Sequence, residues 1–93
     1  MSRDEPYELI LTPLAARAVR SKLPASVASA VIEFMTRALI NNPQRVGKPL
    51  HGDLAGIHSA RRGSYRVLYR INERQHEVVV LRVEHRRDVY RTS

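Results

Sequence analysis

The 93 residues suffice for one domain with a modest core, and a 43% hydrophobic content argues against a disordered chain. There is no cysteine, which excludes disulfides and thiolate zinc sites, and no apolar run approaches the roughly 18 residues of a membrane span. The start, Met-Ser-Arg-Asp-Glu-Pro, does not read as a secretory signal, so a cytoplasmic protein with no membrane partner is expected, and its formal net charge of +7 suits nucleic acid or an acidic protein.

Residues 7–11, Tyr-Glu-Leu-Ile-Leu, read as a short strand. Thr12 then offers an N-cap and Pro13 the first helical turn. Leu14, Ala15, Ala18 and Val19 recur at helical spacing, with Arg17 and Arg20 opposite. Pro24 interrupts this helix and starts a second, whose apolar stripe is Val27, Ala30, Val31, Phe34, Ala38 and Leu39, ending near Asn41, Asn42 and Pro43. The stretch 44–55 has no period and contains Gly47, Pro49 and Gly52, so a surface loop is expected.

Residues 59–71, Ser-Ala-Arg-Arg-Gly-Ser-Tyr-Arg-Val-Leu-Tyr-Arg-Ile, alternate around a Gly63-Ser64 turn signal and predict a hairpin. Tyr65, Val67, Tyr69 and Ile71 fall on one face; Arg66, Leu68 and Arg70 fall on the other, with Arg61 and Arg62 on the facing strand. A polar turn follows at 72–75. The apolar, β-branched run 77–83 predicts the central strand, and 85–91 a closing loop or helical turn. The order β-α-α-β-β-β gives one α+β domain over residues 1–93, a mostly antiparallel sheet covered on one face by a helical hairpin.

Charge is unevenly spread. Between 44 and 71 the basic residues are Arg45, Lys48, Arg61, Arg62, Arg66 and Arg70, while Asp53 is the sole acid. Arginines gathered in this way on a hairpin are expected to meet an anion, and a guanidinium suits phosphate because its planar fork binds two oxygens and stays charged.

These residues resemble a known family. The strings Gly47-Lys48-Pro49-Leu50, Leu54-Ala55-Gly56 and Arg61-Arg62-Gly63-Ser64-Tyr65-Arg66-Val67-Leu68-Tyr69 are similar to those of the RelE/ParE superfamily of toxins. So is the ending, Leu81-Arg82-Val83-Glu84-His85-Arg86-Arg87-Asp88-Val89-Tyr90, and the likeness covers nearly the whole chain, most closely the mycobacterial RelE-type toxins. The resemblance implies a toxin of a type II toxin–antitoxin system that cuts mRNA in the ribosomal A site by attack of the ribose 2′-hydroxyl, needing no metal or other cofactor. It implies as partners the ribosome and mRNA, and an acidic cognate antitoxin that folds on binding and carries the complex to promoter DNA.

Carried over to this chain, Arg66 matches the family's catalytic arginine, Arg61 the arginine before the turn, and Tyr90 the terminal tyrosine, with His85 as a further acid or base. Lys48, Arg62, Arg70, Arg86 and Arg87 would hold RNA. The chain departs from the family's best-studied branch, which has two lysines before the turn; Ile57 and Ser59 stand there, and Lys48, or more weakly His51 or His58, would have to substitute. A ParE-like inhibitor of DNA gyrase is the alternative; such chains typically lack the set Arg61, Arg66 and Tyr90. The ordinary alternative for every one of these arginines is a solvated strand charge.

Overall fold

Gly63 and Ser64 close the hairpin as a two-residue loop, with a positive φ at Gly63 as the first position of a II′ turn requires. In the computed structural model, which describes residues 5–86, the order is β1 (Glu8–Leu11), α1 (Pro13–Arg17, wound on as a π-type turn through Ala18–Lys22), α2 (Ala25–Phe34, wound on through Met35–Leu39), α3 (Pro43–Val46), β2 (Lys48–Pro49), a 3₁₀ turn (Gly52–Leu54), β3 (His58–Arg62), β4 (Tyr65–Asn72) and β5 (Glu77–His85). The sheet order is β1-β5-β4-β3-β2, antiparallel except where β1 lies parallel to β5.

Helices α1 and α2 bury one sheet face. Ala60, Tyr65, Val67, Tyr69, Val78, Val80 and Val83 meet Ala15, Val31, Phe34, Met35 and Leu39 in a single core. Each fully buried aliphatic side chain there is worth about 1.5–3 kcal/mol relative to exposure. Of the predicted helical stripes Ala15, Val31, Phe34 and Leu39 are buried and Ala18, Val19 and Val27 half-buried, but Leu14, Ala30 and Ala38 are exposed, and Met35 takes a core place outside those stripes.

Two expectations are corrected. The stretch 44–55 is not a bare loop: α3 and the short edge strand β2 order it, and the Leu50 N–H donates to the Ile57 carbonyl at 2.8 Å. The predicted closing loop begins later than 85, because β5 runs through His85. Arg87 and Tyr90 lie outside the described residues.

A bulge in β5 decides what faces where. Leu68 pairs with Arg82 and Tyr69 with Val80, so Leu81 is an extra residue that shifts the alternation by one. Val78 and Val80 face the helices before it, and Val83 after it. Thr12 holds the bulge: its hydroxyl donates to the Leu81 carbonyl at 2.9 Å, its N–H donates to the Val80 carbonyl, and its Oγ1 caps α1 by accepting from the Ala15 N–H at 3.2 Å. Thr12→Val keeps the shape and removes both hydroxyl contacts. It is expected to cost about 1–2 kcal/mol, read as a lower urea midpoint at unchanged m-value; an unaltered midpoint would detach Thr12 from the bulge.

Candidate functional site

Among the described residues the sheet face away from the helices is open, and cross-strand register sets its contents. Arg61 on β3 pairs with Arg66 on β4, which pairs with Glu84 on β5. The three therefore form a row across adjacent strands. At the next position along the face the row is Lys48, Ser59, Leu68 and Arg82, from β2 to β5. Lys48, expected in a loop, is thus on a strand beside Ser59. Further along β4, the Arg70 guanidinium lies over Gly56, where an added Cβ would come within 3.2 Å of Nη1.

A depression of about 120 Å³ opens at the hairpin end of this face, lined by Arg61, Gly63, Ser64, Tyr65, Arg66, Glu84 and Arg86. The Arg86 N–H donates to the Ser64 carbonyl at 2.6 Å, which carries β4–β5 pairing past the end of β5 and brings Arg86 to the rim. Three guanidinium groups against one carboxylate make this the natural resting place for an anion on the face.

Not every expected residue joins them. Arg62 pairs with Tyr65 and faces the helices, where its guanidinium lies 5.0 Å from the Phe34 ring centre and Nη2 donates to the Val46 carbonyl at 3.0 Å. Its stem covers apolar surface in the manner of a snorkelling side chain. Arg62 is thus on the other side of the sheet from Arg61, Arg66 and Arg70. Arg62→Ala is expected to lower stability by about 0.5–1.5 kcal/mol, seen as a lower melting temperature; an unchanged melting temperature would show that Arg62 adds nothing by packing on Phe34.

His85 also changes sides. It pairs with Tyr65, so the register after the bulge places it with the helix-facing residues rather than beside Arg61 and Arg66. His58 stacks on Tyr69 at 5.4 Å, and His76 stacks on Tyr7 at 3.8 Å, far along the sheet. Two residues that the sequence reading left without a role do reach the open face. Glu84 accepts from Arg66 Nε at 3.0 Å and from Arg66 Nη2, and its other oxygen lies 3.5 Å from Arg82 Nε. Arg66 is thus paired with a carboxylate of the chain itself, whereas the side chains of Arg61, Arg70 and Arg86 make no ion pair among the described residues.

Sequence and fold comparisons place the chain in a family. Residues 9–90 match the family of ParE toxins of type II toxin–antitoxin systems. The chain is 47% identical over its full length to the toxin RelE of Mycobacterium tuberculosis (strain ATCC 25618 / H37Rv), covering 95% of that protein. It is 51% identical over 92% of its length to the toxin RelG of the same organism, covering 98% of it. The fold superposes with a TM-score of 0.85 on a chain in the crystal structure of the M. tuberculosis toxin–antitoxin complex RelBE2, at 50% identity over 88% of this chain and all of that one. Near-complete coverage at such identity leaves no room for a partial or chance likeness, and the chain belongs to the RelE/ParE superfamily of toxins of type II toxin–antitoxin systems.

Proposed function

We propose that this toxin is a ribosome-dependent mRNA endonuclease whose open sheet face cuts in the A site without a metal. The observation that carries the reading is the placement of Arg61 and Arg66 side by side on adjacent strands, with Arg86 across the depression. Attack of a ribose 2′-hydroxyl on the neighbouring phosphate builds up negative charge on a five-coordinate phosphorus, and fixed guanidinium donors stabilise that charge more than they do the starting diester. Arg61 and Arg66 serve this step. Arg70, Arg86 and Lys48 hold the flanking backbone, which adds affinity without reading sequence. Tyr90 and Arg87 keep the roles that family resemblance gives them, Tyr90 as base or stacking platform and Arg87 as phosphate contact.

The M. tuberculosis relative was solved in complex with its antitoxin. By the same reading this chain is neutralised by an acidic antitoxin segment that folds over the cationic face, and the complex binds promoter DNA through the antitoxin. Primer extension on mRNA translated with the purified toxin tests the proposal, and cuts at A-site codons are expected. The match to the ParE family supports a second reading, inhibition of DNA gyrase. Intact mRNA together with trapped gyrase–DNA complexes would establish that reading and sink the nuclease.

A further inference from the structure

We propose that Glu84 is a positioning residue: it grips Arg66 by one edge of the guanidinium and leaves the other edge for the scissile phosphate. The inference rests on the cleavage reading above. A guanidinium carries five N–H donors around a plane. Glu84 Oε1 accepts from Nε, at 3.0 Å, and from Nη2, which is the side edge. Among the described residues the end fork, formed by Nη1 and the outer hydrogen of Nη2, is spared, and it can still meet two phosphate oxygens in parallel. Only carboxylates on both edges would mask the arginine.

The surroundings explain why Arg66 requires a holder. It is directly opposed by Arg61, a like charge at cross-strand distance, and on its own it would swing away. Glu84 stands on the other flank, only 18% exposed, with its second oxygen 3.5 Å from Arg82 Nε. Arg82 thus steadies the carboxylate, the carboxylate steadies Arg66, and Arg66 lines the depression with Arg61 and Arg86. The bulge at Leu81 is what brings Arg82 and Glu84 to this face.

Steady-state cleavage of mRNA on programmed ribosomes by Glu84→Ala and Glu84→Gln tests this. In the alanine variant kcat should fall about tenfold, the scale of a misplaced catalytic group, while KM holds or falls because the face has lost an anion. In the glutamine variant the amide oxygen still accepts from Nε and Nη2, so kcat should stay within about threefold. A folded alanine variant with undiminished kcat overturns the proposal. A second readout is independent of cleavage: hydrogen exchange at Arg66 Nε–H should be slow in the parent and in Glu84→Gln, and fast in Glu84→Ala. If the alanine variant does not fold, fast exchange in the parent or in Glu84→Gln overturns the proposal. A parent toxin that leaves mRNA uncut sinks the nuclease reading, and the same exchange measurement still decides whether Glu84 holds Arg66.

Discussion

Replacing Arg66 by alanine is expected to lower the rate of A-site cleavage by about 10²–10³, the effect of deleting one preorganised donor from a developing oxyanion. Growth arrest on expression should disappear with it. The fold should survive, since Arg66 is on the open face, 38% exposed and outside the core. A half-buried pair at the surface such as Arg66–Glu84 contributes about 1 kcal/mol, and removing Arg66 also relieves its opposition to Arg61, a term of about 0.2–1 kcal/mol in the other direction. The two offset, so the melting temperature should change little. Arg66→Lys separates charge from geometry: a point charge without the planar fork should recover only part of the rate. An Arg66→Ala toxin that melts like the parent and still arrests growth would remove the cationic row from the mechanism.

The parts of this arrangement that could be read in the sequence are those where alternation and turn chemistry agree. Gly63-Ser64 and the strict period of residues 65–71 fixed the hairpin, its register and the shared face of Arg66 and Arg70. The same alternation also sends Arg62 to the side opposite Arg61, a signal that the charge pattern obscured. The bulge could not be read. The run Val78, Val79, Val80, Leu81 is apolar at every position and marks no phase, so nothing in it announces that one residue is skipped. That skip sets Glu84, in place of Val83, opposite Arg66 and turns His85 to the helix side, so a carboxylate rather than an alkyl group becomes the neighbour of Arg66. Strand β2 is hidden for a different reason: two residues, one of them Pro49, give no period at all, and the strand exists because β3 offers it an edge.

Gly47→Ala should be among the most destabilising single-methyl additions in the chain, although its backbone angles suit any residue. The limit is space. A Cβ at Gly47 would collide with the Tyr69 hydroxyl and come within 2.9 Å of the Ser59 carbonyl oxygen and 3.1 Å of its carbon. Neither can yield easily. Burial pushes the Tyr69 hydroxyl up to about 12, so it remains a donor, and it is bonded to the Pro43 carbonyl at 2.6 Å while its ring is fully buried. Ser59 is backbone in β3, paired on one side with Leu68 and on the other with Lys48. Relief therefore requires β2 to shift, carrying Lys48 away from the open face. Overpacking of this kind costs about 1–3 kcal/mol, and for a domain of this size the melting temperature should fall by roughly 4–24 °C. Tyr69→Phe removes one of the colliding atoms at its own expense of about 1–3 kcal/mol, since the Pro43 carbonyl loses its donor. In the double variant the two losses should sum to less than their separate values because the hydroxyl collision is counted in only one of them. The Ser59 contact persists, so the double variant should still melt below Tyr69→Phe alone. A Gly47→Ala chain that melts with the parent would show that β2 moves freely, and Lys48 would then have no fixed place on the cationic face.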